Sequence, residues 1–424
     1  MTGVADTFDI TNFIFSTKKF EMKNVLTVIA AAALVVTACK RESSVTEKNA
    51  EAVTASSVLT EKMVSENGNN PDERFASSNG ANERNSRSSH VYIESNEASQ
   101  NVILVFQQQP DGRLALESQT ASGGKGFGGG LASQGALALD KNNNLLFAVN
   151  AGSNTVSSFR IKSDGSLELL STESTQGEKP VSVTVHDHFV YVVNNASSDI
   201  AGFVVDVTGK LHPINGSYQT LSSVGADPAE ISFTPDGDAL MITEKANNKI
   251  TAFGVNGNGV IDNKVVNQSV GNTPFGFDFA RDQFMIVSNA DGGNVGTSSC
   301  TSYKNLDNLA IKDVNGKVNN GQTAVCWVGT TSFGRFAYVA NTGSNTISAY
   351  FVDLSGKLFL IPWVNAKAGE KPADIVVSSD NDFVYNINGG NNTLGEYKRE
   401  ALGQLHNIGF INSLPDFAAG LVSF

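Results

Sequence analysis

Glu230, Glu244 and Lys245 are the residues of this sequence whose types and placement suit acid–base chemistry. Two carboxyl groups beside one channel would act as base and acid in opening a ring. A neighbouring ammonium would stabilise the negative charge that develops on oxygen. Glu244 is singled out because it breaks a pattern. Asn150, Asn194, Asn341 and Asn388 each stand nine residues before an aromatic residue, in turns that asparagine caps well, and Glu244 stands nine before Phe253. The plainer alternative is an exposed Glu–Lys pair of little energetic weight. A third reading gives Glu244, Glu230 and asparagine oxygens a divalent cation, since hard ions prefer oxygen ligands. No D-x-D-x-D-G loop supports it, no zinc-type spacing occurs, and no other cofactor is implied.

Around these residues stand candidate ligand contacts: Lys125, Ser133, Gln134, Lys179, Phe275, Gln322 and Asp374, with Asp227 and Lys371. All fall at turns expected on one face of the molecule. The histidines do not join them. His186, His188, His212 and His406 are expected on the opposite face with Arg335, and His90 is expected ahead of the domain. No histidine is therefore available there as a general base. The glycine-rich stretch from Gly123 to Gly135 lacks G-K-[ST] and a following helix, so it is no phosphate loop. It is expected to lie across the face as a lid that contributes backbone N–H groups and Gln134.

The elements that position these residues come from a repeat. An aromatic residue in a strand is followed six residues later by a turn glycine at Phe106/Gly112, Phe159/Gly165, Phe203/Gly209, Phe253/Gly259, Tyr350/Gly356 and Tyr397/Gly403. Tyr303/Gly316 is read as a seventh pair with a longer turn. Successive aromatics are 44 to 53 residues apart. Seven units of that length describe an all-β, seven-bladed β-propeller with four-stranded blades. The first unit lacks an inner strand ahead of Val91, and the last has a surplus ending at Phe424. The C-terminal strand is therefore expected to complete blade 1 and close the ring, which removes an open sheet edge.

Composition agrees with many short strands and tight turns: of 424 residues, 40 are Gly and 10 are Pro. With 30 basic and 42 acidic side chains the formal charge is −12, and no basic patch offsets it, which excludes nucleic acid as a partner. Lys18, Lys19 and Lys23 precede an apolar run, Val25 to Val36, too short to span a bilayer. Residues 1–38 read as an export signal. The basic and apolar regions fit a start at Met22, which would make residues 1–21 an over-extended gene start. Val36-Thr37-Ala38-Cys39 resembles a bacterial lipobox and marks Cys39 for lipidation. Residues 39–90 read as a disordered, lipid-attached linker and 91–424 as the propeller. Cys300 and Cys326 stand in adjacent blades, as a possible disulfide or as two buried thiols.

The repeats resemble the lactonase family of seven-bladed propellers, which includes 6-phosphogluconolactonase-like and carboxymuconate-cyclase-like members. Gly123-Gly124-Lys125-Gly126-Phe127, Gly130 to Leu137, Thr243-Glu244-Lys245, Gly321 to Ala324 and Cys326-Trp327 are similar to a secreted bacterial branch. The resemblance implies the fold and a lactone or sugar acid as the small-molecule partner. Enzymatic members carry Pro-x-His at the start of inner strands; here those places read Ser133-Gln134-Gly135, Pro180-Val181-Ser182 and Pro228-Ala229-Glu230. Two functions follow. One is a lipoprotein in the cell envelope that hydrolyses or isomerises a lactone or sugar acid at the channel mouth. The other is a non-catalytic propeller that binds a ligand or an envelope protein. A monomer is expected, held to the outer membrane or periplasmic side by its lipid alone.

Overall fold

The computed structural model describes residues 55–66 and 89–424. The expected export signal and Cys39 lie outside the described residues. Seven four-stranded antiparallel sheets are arranged in sequence order as the blades of a propeller. Blade 4 is typical, with an inner strand Pro228–Phe233, a second strand Ala239–Glu244, a third Lys249–Val255 and an outer Ile261–Gln268. Second strands such as Leu145–Asn150 are buried along their whole length, because neighbouring blades cover both sheet faces. Outer strands such as Ile261–Gln268 alternate between half-buried and exposed residues. In blade 3 the outer strand is split into Leu211–Pro213 and Gln219–Thr220, both paired with the third strand.

The ring closes as the repeat arithmetic expects. Ala419–Ser423 pairs antiparallel with His90–Glu94, and the amide of Phe424 donates to the His90 carbonyl at 2.8 Å. His90 is part of that strand and 1% exposed, so it belongs to the domain instead of preceding it.

The turn glycines serve the contacts between blades. Gly112 has a φ of +86°, and a Cβ there would lie 2.0 Å from the Phe383 ring of blade 7. Its carbonyl accepts the Tyr385 hydroxyl at 2.7 Å, and Tyr92, Tyr191 and Tyr338 reach Gly165, Gly259 and Gly403 in the same way. Blade 5 departs from the expected pairing. The turn position six residues after Tyr303 is Leu309, at φ +65°, with its amide bonded to the Leu306 carbonyl. Gly316 instead lies within the outer strand Ile311–Asn319, whose register with the third strand shifts between Thr301 and Tyr303. The blade accepts a leucine in a left-handed turn, which hid it from a search for glycine.

The stretch expected to lack structure also contains a folded part. Residues 55–65 form a helix whose Leu59 and Met63 are buried in one apolar cluster with Phe336 and Phe351. Lys62 pairs with Asp353 at 2.8 Å, Glu66 with Arg281 at 3.4 Å, and the Arg335 guanidinium donates to the Met63 carbonyl. Leu59, Lys62, Met63 and Glu66 recur at helical spacing, so even a polar segment presents one face that docks.

Candidate functional site

The inner strands surround the channel and are joined across blades by side chains. The Ser133 hydroxyl donates to the Val181 carbonyl at 2.9 Å, and the Ile231 amide donates to the Ser182 hydroxyl at 3.2 Å. Glu230 Oε2 accepts the Phe277 amide at 2.6 Å. Asp278 Oδ2 accepts the amide and hydroxyl of Thr330 at 2.9 and 2.8 Å. Asp374 Oδ1 accepts the Ile375 amide at 2.9 Å, and the Gly420 and Leu421 amides of the closing strand also favour its ionised form. Inner strands splay apart and do not form a ladder with one another, so these amides need side-chain acceptors.

A cavity of about 430 Å³ occupies the channel, lined among others by Glu230, Asp278 and Asp374. Gln134 roofs it at the face where the inner strands begin. Its amide nitrogen donates to the Phe277 and Val328 carbonyls at 3.2 and 2.8 Å, and its side-chain oxygen accepts the Val328 amide at 2.9 Å. The lining then runs to exposed Lys141, Ser332 and Ser379 in turns on the other face, so the mouth lies opposite the expected side.

All three carboxyl groups are shifted toward the protonated form. Burial pushes Asp374 up to about 8, against the opposing pull of the Ile375, Gly420 and Leu421 amides. Burial raises Glu230 well above the ordinary carboxylate range, with the charges of Asp278 and Asp374 adding to it and the Phe277 amide opposing. Asp278 is raised by burial against its bonds to Thr330 and Phe279. Lys141 is open to the mouth yet surrounded by protein, which lowers its pKa.

The ring has seven four-stranded blades, and the sequence profile described as "Lactonase, 7-bladed beta-propeller" matches residues 83–224 and 218–302, together just over half of the chain. The chain belongs to the lactonase family. Solved structures with the same fold include a Bacteroides fragilis protein provisionally named a 6-phosphogluconolactonase, 17% identical, with a TM-score of 0.66 over 81% of this chain and 100% of that one. The periplasmic gluconolactonase of Pseudomonas aeruginosa is 16% identical, with a TM-score of 0.64 over 79% of this chain and 98% of that one. No functionally curated protein matches.

Of the residues expected in the site, this lactonase-family propeller brings Gln134, Glu230 and Asp374 to the channel. Glu244 goes elsewhere. It is fully buried in the seam between blades 3 and 4. There it accepts the Thr251 hydroxyl at 2.5 Å, the Asn247 amide at 2.9 Å, the Ser222 backbone amide at 3.2 Å and the Ser222 hydroxyl. Glu244 and Glu230 therefore do not form an acid–base pair, and the exposed-pair alternative also fails, because both Glu244 and Lys245 are buried. The Lys245 ammonium donates to the Ala132 carbonyl at 2.6 Å, pairs with Asp227 at 3.3 Å and lies 4.9 Å over the Phe275 ring.

The other candidates stand outside the cavity. The ring of Phe275 packs on Trp327 at 5.0 Å, whose indole N–H donates to the Ser133 carbonyl at 2.9 Å. Lys179 lies 4.3 Å over Phe127, Lys125 is exposed, and Gln322 accepts the Thr346 hydroxyl at 3.2 Å. Cys300 and Cys326 are free, buried thiols, each pushed up to about 12 by burial; no disulfide joins them. Among the described residues no group of three acidic, histidine or cysteine side chains gathers as a metal ion would need.

Three residues escaped the sequence reading. Asp278 faces the channel one pleat deeper than Glu230, opposite Ile286, where the matching residue in blade 4 is Ser232 opposite Met241. Lys141 sits in a turn on the face that had been set aside. Glu94 ends the second strand of blade 1, the place Glu244 holds in blade 4, but it stands twelve residues before Phe106 because the following loop is longer. Glu94 is fully buried, neither oxygen has a hydrogen-bond partner among the described residues, and burial pushes its pKa well up against a smaller effect of Asn101.

Proposed function

We propose that this propeller hydrolyses a lactone of the sugar-acid class in its channel, with Asp374 as the proton donor and Asp278 as the acceptor. The observation that carries the reading is the meeting of three carboxyl groups in one polar cavity of about 430 Å³, with Asp374 held protonated up to about pH 8. That volume lies in the range of small-molecule sites. Burial raises all three, but Asp278 accepts the Thr330 amide and hydroxyl and the Phe279 amide, bonds that favour its anion, while the charges of Asp278 and Asp374 hold the proton on Glu230, so a donor and an acceptor coexist in the channel. Water attacks the lactone carbonyl carbon and passes a proton to the Asp278 carboxylate, while Glu230, with Oε2 on the Phe277 amide, offers its other oxygen to the bound sugar. The bond from that carbon to the ring oxygen breaks, and Asp374 protonates the departing oxygen. The product is the open hydroxy acid, and the two side chains return to their starting states by exchange with water.

The names of the related structures favour a lactone, and membership of the lactonase family supports it. A second reading, a binding propeller without turnover, is favoured by the amides that already occupy Glu230, Asp278 and Asp374. Purified protein assayed against aldonolactones above the spontaneous rate separates the two: turnover lost in Asp374→Asn supports hydrolysis, and ligand-induced thermal stabilisation without turnover supports binding. Export and lipid attachment at Cys39 would place the domain in the cell envelope. Labelled palmitate should mark the wild type and not Cys39→Ser, and unlabelled wild type would refute anchoring.

A further inference from the structure

We infer that the channel selects uncharged, polyhydroxylated lactones and turns away those carrying a phosphate or carboxylate group, because the strong anion-binding donors of its wall are already occupied. The inference rests on the reading of the channel as the site and narrows its substrate. Backbone amides are the donors a strand-lined cavity offers an anion. Here the Phe277 amide is taken by Glu230, the Thr330 amide by Asp278 and the Val328 amide by Gln134, while the Gly420 and Leu421 amides lie close enough to Asp374 to favour its ionised form. A phosphate would have to break one of these bonds and leave a buried carboxyl group without its partner.

Charge points the same way. Among the described residues, Lys141 is the one basic residue lining the cavity, and it stands at the mouth. Glu230, Asp278 and Asp374 carry either a proton or a negative charge, and in neither form do they supply the positive charge that a phosphate dianion needs. They suit hydroxyl groups in both forms, accepting O–H when ionised and donating when protonated. Glu230 is 6% exposed and lines the cavity with Oε2 committed to the Phe277 amide, which leaves its other oxygen to meet a sugar hydroxyl.

The test compares matched neutral and phosphorylated probes on the full purified chain. Sorbitol and sorbitol 6-phosphate report binding by calorimetry, independent of turnover. D-glucono-1,5-lactone and its 6-phosphate report kcat/KM. The neutral member of each pair should be favoured at least about tenfold, and Glu230→Gln, which places an N–H donor in the channel, should narrow the gap in binding. Equal or stronger binding of the phosphorylated polyol overturns the inference. Faster hydrolysis of the phosphorylated lactone also overturns it and leaves the hydrolytic reading standing. Preferential binding of neutral probes without any hydrolysis sustains the inference and refutes the hydrolytic reading. Binding of neither probe refutes both.

Discussion

Glu230 and Glu244 lie on paired strands of one blade, yet they inhabit different chemical settings. Glu244 ends the second strand and is surrounded by donors from Ser222, Asn247 and Thr251. Glu230 near the start of the inner strand has one amide, from Phe277, and an oxygen left over. The first is a fastening between blades, doing with a carboxylate what Asn150 does in blade 2, where it bonds Asn101, Ser122, Thr155 and Ser157. The second has unused hydrogen-bonding capacity on a cavity. Residue type and departure from the repeat therefore do not identify a site; the supply of partners around the side chain does.

The largest effect is expected from opening the ring in which both regions are held. Deleting Gly420 to Phe424 strips the partner strand from His90–Glu94 and two amides from Asp374, so cooperative folding should be lost, which a thermal melt followed by circular dichroism would show. A melt at the wild-type temperature would break the account of ring closure. The seam alone is tested by Glu244→Ala, which leaves Ser222, Asn247 and Thr251 without their acceptor and should cost about 3 kcal/mol in denaturant unfolding. Glu244→Asn keeps one acceptor and should cost about 1 kcal/mol. A loss near zero for both would return Glu244 to the candidates for chemistry.

The channel should reveal itself through pH. Asp374 has a folded pKa of about 8, above the ordinary 3.8. Its folded form binds a proton that the unfolded chain releases, so its contribution to stability is complete below pH 3.8 and is lost as pH rises through about 8. Wild-type stability should fall over that window and fall less steeply in Asp374→Asn. An unchanged slope would contradict the burial of that carboxyl group. The smallest effect is expected from Lys245→Ala, about 1 kcal/mol, since its partner Asp227 is half exposed. Turnover in that variant should stay within about twofold, because Lys245 does not line the cavity.

The blades were legible because aromatic and turn-glycine positions recur for a mechanical reason: the glycine carbonyls take tyrosine hydroxyls from the neighbouring blade. The closing strand was legible from the same count. Leu309 was not, because a turn that tolerates positive φ without glycine leaves no mark on the sequence. The docked helix at residues 55–65 was missed because two buried apolar residues, Leu59 and Met63, are too few to stand out in a polar stretch. Glu230 and Asp374 were found as Pro-Ala-Glu and Pro-Ala-Asp at matching places. Asp278 escaped because it stands four residues after Pro274, one pleat beyond the place that Glu230 and Asp374 hold two residues after their prolines and that Gly276 occupies in its own blade. The side on which the channel opens depends on Gln134 crossing to Val328 in blade 6, a long-range contact that no local pattern encodes.

The most direct test of the central claim, that chemistry belongs to the channel and fastening to the seam, is lactone hydrolysis followed by pH-stat in wild type, Asp374→Asn and Glu244→Gln. Each variant is assayed at a temperature where it is folded. Asp374→Asn should lower kcat by about 10² to 10⁴, the range for a general acid, and should abolish the alkaline limb expected of wild type near pH 8. Glu244→Gln should leave kcat within about threefold and lower only the unfolding midpoint. Full activity in Asp374→Asn together with loss in a folded Glu244→Gln would contradict the account and move the chemistry to the seam.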